Sequence, residues 1–230
     1  MRVVLVRPES PANVGACARV VRNAGAEGLC LVAPGDWRTV ECWRTAWGAQ
    51  DVLEQALEAK DLATALSGAA LSVALTGRRP PGPPPADVRE VAETMAALGA
   101  DEVAALVFGP ETTGLTNDEV ALCGRAAVIP AHPSQPSFNL SHAVAIAAYE
   151  VHRASRRPPR PSPRRATHDD KERALALLKE GLLAVSALPR VQAERHFREW
   201  RALVQRADLT PKEVRLIEHM ARKMAGAARG

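Results

Sequence analysis

Five short apolar runs punctuate the first 130 residues: VVLV (3–6), LCLV (29–32), LSVAL (71–75), VAALVF (103–108) and AAVI (126–129). None alternates apolar with polar residues, as a strand with one wet face would. Continuous apolar strands are those covered on both faces, and helical patterns separate these runs. Strands that return to one sheet through helices run parallel, so the pattern predicts an α/β fold built on a parallel sheet. A chain of 230 residues can hold one such domain and a smaller one.

Two helix starts are well marked. LTNDEV places Thr116 at the N-cap, Glu119 three residues on, and Leu115 against Val120 as a staple. LTPKEV repeats the device with Thr210, Glu213 and Leu209 against Val214, with Pro211 at the first helical position. NLSHAVAIAAYEV is apolar on nearly all sides and predicts a buried helix. Composition then breaks: RASRRPPRPSPRR (153–165) holds six Arg, four Pro and no acidic residue, which suits an extended basic linker. The resulting division is a domain over 1–153, a linker over 154–167 and a helical part over 168–230. In the last, Leu175, Leu178, Leu182 and Val185 stripe one helix, and Phe197, Trp200, Leu203 and Val204 another.

Charge follows the same division. Residues 1–150 carry 11 Lys/Arg against 17 Asp/Glu, whereas residues 151–230 carry 19 against 9. A basic tail on an acidic body suits a polyanionic partner such as nucleic acid, because phosphates release condensed counterions to cationic side chains; a merely solvated basic segment is the plainer alternative. No apolar run reaches membrane length, and MR leads straight into VVLV without a signal-peptide plan. Cys17, Cys30, Cys42 and Cys123 form no CxxC pair and have no His at ligand spacing. The expectation is a soluble, cytoplasmic protein with no membrane association, no metal site and no disulfide.

In an open parallel sheet, ligands bind at the carboxyl ends of the strands, so the post-strand loops carry the functional argument. FGPETTGLT (108–116) has the outline of a phosphate loop, but Leu115 stands where the lysine is needed, which excludes an NTPase. A GxGxxG after the first strand is absent, which opposes a dinucleotide enzyme. Glu111 and two glycines remain, either as a plain turn before a capped helix or as a binding loop. ALTGRRPPGPPP (74–85) is rigid and Pro-rich. IPAHPSQPSFNLS (129–141) brings Ser137, Asn139 and Ser141 to a helix mouth, more than one N-cap requires. In SPANVGACARVVRNAG (10–25), Val14, Cys17, Ala18, Val21 and Ala24 share one helical face and Arg19 points away from it. Locally, Asn13 and Arg19 read equally well as a cap with a solvated charge or as working groups.

Together these loops resemble the SPOUT class of RNA methyltransferases, in its TrmH/TrmJ branch of 2′-O-ribose methyltransferases. NVGACAR resembles the first family motif, LVFGPETTGLTNDE the second and VIPAHPSQPSFNLSHAVAIAAYE the third. WGAQDVLEQA (47–56), the TGRR region and the tail with ADLTPKEVRLI resemble the TrmJ-like subgroup. The likeness spans nearly the whole chain in the expected order. Three features depart from it: Phe138 replaces a smaller aliphatic, Pro110 sits inside the second motif, and the TGRR region runs on into prolines.

The resemblance implies a fold with a C-terminal trefoil knot, S-adenosylmethionine as cofactor, RNA as substrate and a homodimer. It implies tRNA at an anticodon-loop position of the 32 type ahead of rRNA. Carried over residue by residue, the cofactor would be held by Leu75, Thr76, Gly77, Gly109, Ile129, Ser137, Phe138, Asn139 and Leu140. Catalysis would fall to Arg19, Asn13, Glu111, Ser137 and Asn139. A guanidinium with a pKa above about 12 is a poor base, so Arg19 would grip the adjacent phosphate and stabilise the developing alkoxide. Asn13 and Asn139 would orient the ribose or Arg19, Glu111 would hold one of these groups, and Ser137 would assist at the hydroxyl. A non-catalytic RNA-binding relative and an unrelated small-molecule enzyme are the alternatives.

Overall fold

Each of the five apolar runs forms a strand. The computed structural model describes residues 1–156, 163–188 and 193–227. Along the chain they form β1 (Arg2–Val6), α1 (Pro11–Ala24), β2 (Gly28–Val32), α2 (Val40–Thr45), α3 (Gln50–Glu54), β3 (Leu57–Ala59), α4 (Leu62–Ala65), β4 (Ala69–Leu75) and β5 (Ala86–Asp87). Then come α5 (Val88–Ala96), β6 (Val103–Phe108), α6 (Asn117–Leu122), β7 (Arg125–Val128), α7 (Leu140–Ser155), α8 (His168–Ala184), α9 (Ala193–Arg206) and α10 (Pro211–Ala227).

The strands make one seven-stranded sheet in the order β3-β2-β1-β6-β4-β7-β5. Every pairing is parallel. On β1, Val3 and Leu5 enter one core with α1, α5 and α7, while Val4 and Val6 enter a second core with α4 and Leu115. Burial on both faces is why these strands lack alternation. Two strands have no signal in the sequence. The edge strands β3 and β5 are three and two residues long, and β3 is largely exposed.

Both forecast caps form. Thr116 and Glu119 make a reciprocal capping box, and Thr210 with Glu213 makes the same bonds. A third box, Thr167 with Asp170, starts α8. Helix α7 reaches Ser155, two residues past the forecast domain boundary. It is buried along Leu140, Val144, Ala147, Ala148 and Val151, but Tyr149 stands 61% exposed, so it is covered on one side rather than all round. Much of the forecast basic linker, residues 157–162, lies outside the described residues.

The tail helices pack on one another through Leu175, Phe197 and Val204, and through Ala174 and Val214. Of the forecast stripes, Val185, Trp200 and Leu203 are exposed, a correction. On α9 the packed face centres on Phe197, Arg201 and Val204, and Leu203 falls outside that arc. Gly124 permits the tail to dock: a Cβ there would lie 2.8 Å from Gln205 O. Asp208 accepts from Arg125 and Arg165, and Asp169 from Ser67 Oγ and Gly68 N.

Candidate functional site

Strands β6, β4 and β7 lie side by side, with Leu75 in register with Phe108 on one flank and Ala127 on the other. Their carboxyl ends therefore release three loops next to each other: 76–85, 109–116 and 129–139. The glycines set how closely these loops approach. A Cβ on Gly109 would lie 2.2 Å from Leu115 N, so only glycine lets that loop fold back on itself. Gly77 is open apart from Pro136 O at 3.5 Å from a would-be Cβ, which puts the third loop over the first. Thr76 N donates to Ala127 O (2.9 Å), and the Arg78 guanidinium donates to Leu115 O, tying the first loop to both neighbours. Leu75 and Leu140 are buried beneath; Thr76, Gly109 and Ile129 are half-buried, and Gly77, Ser137, Phe138 and Asn139 are exposed. The result is a cradle walled largely by backbone, of a kind that can take a flat, polar small molecule.

Beside it, three distant segments join in one chain of hydrogen bonds. Glu111 accepts from Glu9 N (2.9 Å), Ser10 N (3.2 Å) and Asn13 Nδ2 (2.7 Å). Asn13 Oδ1 accepts from Asn139 Nδ2 (3.1 Å). Asn139 Oδ1 in turn accepts from Ser141 N (2.9 Å) and Ser141 Oγ (2.8 Å), capping α7. The Glu111 carboxylate sits against the amides that open α1, where the helix dipole favours a negative charge. Asn13 is not the cap of α1: Ser10 is, through its hydroxyl on Asn13 N. That frees the Asn13 amide to bridge the first motif to the second and third.

Of the five forecast catalytic residues, the structure unites Asn13, Glu111 and Asn139. Arg19 is not among them. It lies six residues, about 9 Å, further along α1, is exposed, and has no partner among the described residues. Ser137 is likewise exposed and bonded to nothing described, and Phe138 stands 42% exposed beside it.

Three fasteners tie the loop after β1 to the loop after β6 and the first turn of α6, and their pairing carries no signal in the sequence. The Arg7 guanidinium grips Glu119 with both nitrogens, one of them at 3.1 Å. Thr112 Oγ1 donates to Glu9 Oε1 (2.5 Å), and Glu111 supplies the third link. Arg7 adopts φ +46°, a backbone state that L side chains rarely take, and its N–H still reaches Val32 O. No spacing rule foretells pairs more than 100 residues apart. The cysteines offer no alternative chemistry: burial raises all four thiols, Cys42 to about 11 and Cys123 to about 12, so none supplies a thiolate.

Known proteins share this fold. The chain is 40% identical over 157 residues to a Pseudomonas aeruginosa protein named tRNA (cytidine/uridine/adenosine-2'-O-)-methyltransferase TrmJ. It is 38% identical over 155 residues to a TrmJ of Salmonella typhimurium. Each match covers 67% of this chain but only 61% and 64% of those relatives' lengths. Among solved structures, TrmJ from Z. mobilis superposes with a TM-score of 0.83 at 29% identity, covering 97% of this chain and 98% of that one. A probable methyltransferase from Bordetella pertussis matches at 0.62 and 39% identity, over 67% of this chain and 95% of that one. The model of the SpoU rRNA Methylase family fits residues 1–149, a span that contains every strand of the sheet and all three loops around the cradle. The chain belongs to the SpoU rRNA methylase family.

Proposed function

We propose that this protein transfers a methyl group from S-adenosylmethionine to a ribose 2′-hydroxyl of RNA, with tRNA as the RNA and the anticodon loop, at a position of the 32 type, as the target. The observation that carries the reading is the Glu111–Asn13–Asn139 chain, which links all three family motifs beside a backbone-walled cradle. The names of the TrmJ relatives favour tRNA over rRNA.

The cradle fits the cofactor. Gly77 leaves its loop backbone uncovered, and Gly109 lets the second loop fold tightly back on Leu115 beside it. The Leu75, Thr76, Ile129 and Ser137–Leu140 backbone belongs to the same three strand ends. When bound there, S-adenosylmethionine would supply an already activated methyl group, so the chain's own residues have only to position the hydroxyl and manage charge. Asn13 and Asn139 hold the ribose face of the site in one orientation, because each amide is fixed by a partner. Glu111 locks Asn13 and neutralises the opening turn of α1. Ser137, exposed at the lip, would assist at the ribose hydroxyl by accepting its hydrogen bond and relaying the proton to bulk water as the methyl–oxygen bond forms. Arg19 grips the neighbouring phosphate with its planar fork and stabilises negative charge growing on the ribose oxygen.

Arg19 stands apart from the other four groups within one protomer, which fits a homodimer whose sites are completed across the interface. The approach of Pro136 O to Gly77 sets loop 129–139 against loop 76–85, an arrangement that suits a C-terminal trefoil knot. A cytoplasmic location follows from the tRNA substrate. The test is nucleoside mass spectrometry of tRNA and rRNA incubated with the protein and a labelled methyl donor. A labelled 2′-O-methylnucleoside from the anticodon loop is expected; label on a base, or none on RNA, overturns the reading. In the same assay Arg19→Lys, which keeps charge and loses the fork, should lose most of the activity while cofactor binding persists.

A further inference from the structure

We propose that Trp47 is the stacking platform for a nucleobase of the bound RNA, working with Arg19 and Arg44 as a single nucleotide-holding surface. This rests on the RNA reading above and adds to it a residue that holds a base rather than the sugar.

The placement follows from α1. Gly15, Arg19 and Arg22 lie at i, i+4 and i+7, on one strip of the helix. At the first of them α2 crosses: a Cβ on Gly15 would lie 2.0 Å from Cys42 O and 2.2 Å from Thr45 Oγ1. At the third, Arg22 pairs with Asp51 of α3. The connection through residues 46–50 must therefore run alongside Arg19. It is pinned in place. Ala46 and Ala49 are wholly buried, Ala46 N donates to Cys42 O (3.1 Å) and Ala49 N to Ala46 O (2.7 Å), and Gly48 turns the chain at φ +78°. Between the two buried alanines Trp47 points outward, 73% exposed, whereas Trp37 is 3% exposed.

An indole 73% exposed buries little of its apolar surface against the chain. Two exposed cations without partners among the described residues flank it, Arg19 and, three residues back at the end of α2, Arg44. A flat π face beside guanidinium forks matches the two chemistries of a nucleotide, base and phosphate. Arg22, the third cation of the strip, is already neutralised by Asp51. Stacking reads no hydrogen-bond edge, so the surface should accept purines and pyrimidines alike.

The experiment compares full-length wild type, Trp47→Ala, Trp47→Phe and Arg44→Gln. Trp47→Ala should weaken tRNA binding about five- to hundredfold, with cofactor affinity and the slope of log affinity against log salt unchanged. Trp47→Phe should recover most of the loss. Arg44→Gln should instead lower the salt slope by about 0.7–0.9, the value of one phosphate. Indole fluorescence of wild type should be quenched by RNA more than that of Trp47→Phe. Wild-type RNA affinity in Trp47→Ala overturns the proposal. So does conversion of a dimer to a monomer by Trp47→Ala, which would make the indole a subunit contact. A protein that binds RNA through Trp47 yet transfers no methyl group would sink the functional reading and leave this one standing.

Discussion

Asn13 donates through Nδ2 to Glu111 and accepts through Oδ1 from Asn139, so its position needs a donor and an acceptor on one planar group. Aspartate has nearly the same shape and no donor. In Asn13→Asp a carboxylate would face Glu111 at the present 2.7 Å separation, and two like charges that close cannot both ionise. The expected result is a turnover loss of about tenfold or more with cofactor affinity unchanged, measured by steady-state kinetics and calorimetry on one preparation. Asn13→Ala should cost about 1–2 kcal/mol of stability in urea, because Glu111 loses a partner. Undiminished turnover in both variants would remove Asn13 from the site. The sequence marks this residue ambiguously for a physical reason. Ser10 and Asn13 are both good caps, and the choice between them depends on Glu111, which lies 98 residues away and satisfies the Ser10 amide. Arg19 is legible as outward-facing from the helical period alone, and the structure leaves it there.

At the scale of elements, buried strands and capped helices are readable because their signals are local: apolar runs for the former, Thr-x-x-Glu for the latter. Crossings are not. Gly15 looks like a weak spot in α1, since glycine inside a helix is about 1 kcal/mol worse than alanine. Its role appears only once α2 lies across it, with backbone Cys42 O where a Cβ would go. Gly15→Ala should therefore destabilise by about 2 kcal/mol or more despite the propensity gain, whereas Gly28→Ala, with nothing within 4 Å, should be nearly neutral; urea midpoints decide. Helix α8 offers a pH test. His168 is 3% exposed, and neither ring nitrogen has a partner among the described residues. Burial lowers its pKa from 6.5; Glu172 and Asp169 oppose that shift, and Lys171 and Arg201 support it. The unfolded chain thus binds the proton more readily than the folded one. Stability should be full above pH about 6.5 and fall as pH drops below it, over a range where carboxylates remain ionised. His168→Gln should flatten the urea midpoint between pH about 5 and 7; an unchanged slope would show that this ring does not set it.

The whole molecule separates chemistry from the basic tail. Asn139 caps α7 at the carboxyl ends of the strands, and the 16 residues of α7 carry the chain about 24 Å toward their amino ends. There the tail docks: Asp169 on Ser67 and Gly68 just before β4, Arg165 N on Glu102 just before β6, and Asp208 on Arg125 at the start of β7. Charge asymmetry in the sequence points to a polyanion, but no local pattern can place the tail at the amino ends of β4, β6 and β7. On the proposed RNA methyltransferase reading, a surface that remote would grip RNA away from the reacting ribose. It should therefore add affinity and leave the chemical step alone. Helix α9 exposes Arg195, Arg198 and Arg206, and each phosphate that a side chain no longer neutralises lowers the salt slope by about 0.7–0.9. Replacing all three with glutamine should flatten the slope by about 2–3 and raise the KM for tRNA, with kcat at saturating RNA held within about twofold. A fall in kcat at unchanged KM would mean instead that α9 reaches a reacting site, and in a dimer that site would be the partner subunit's.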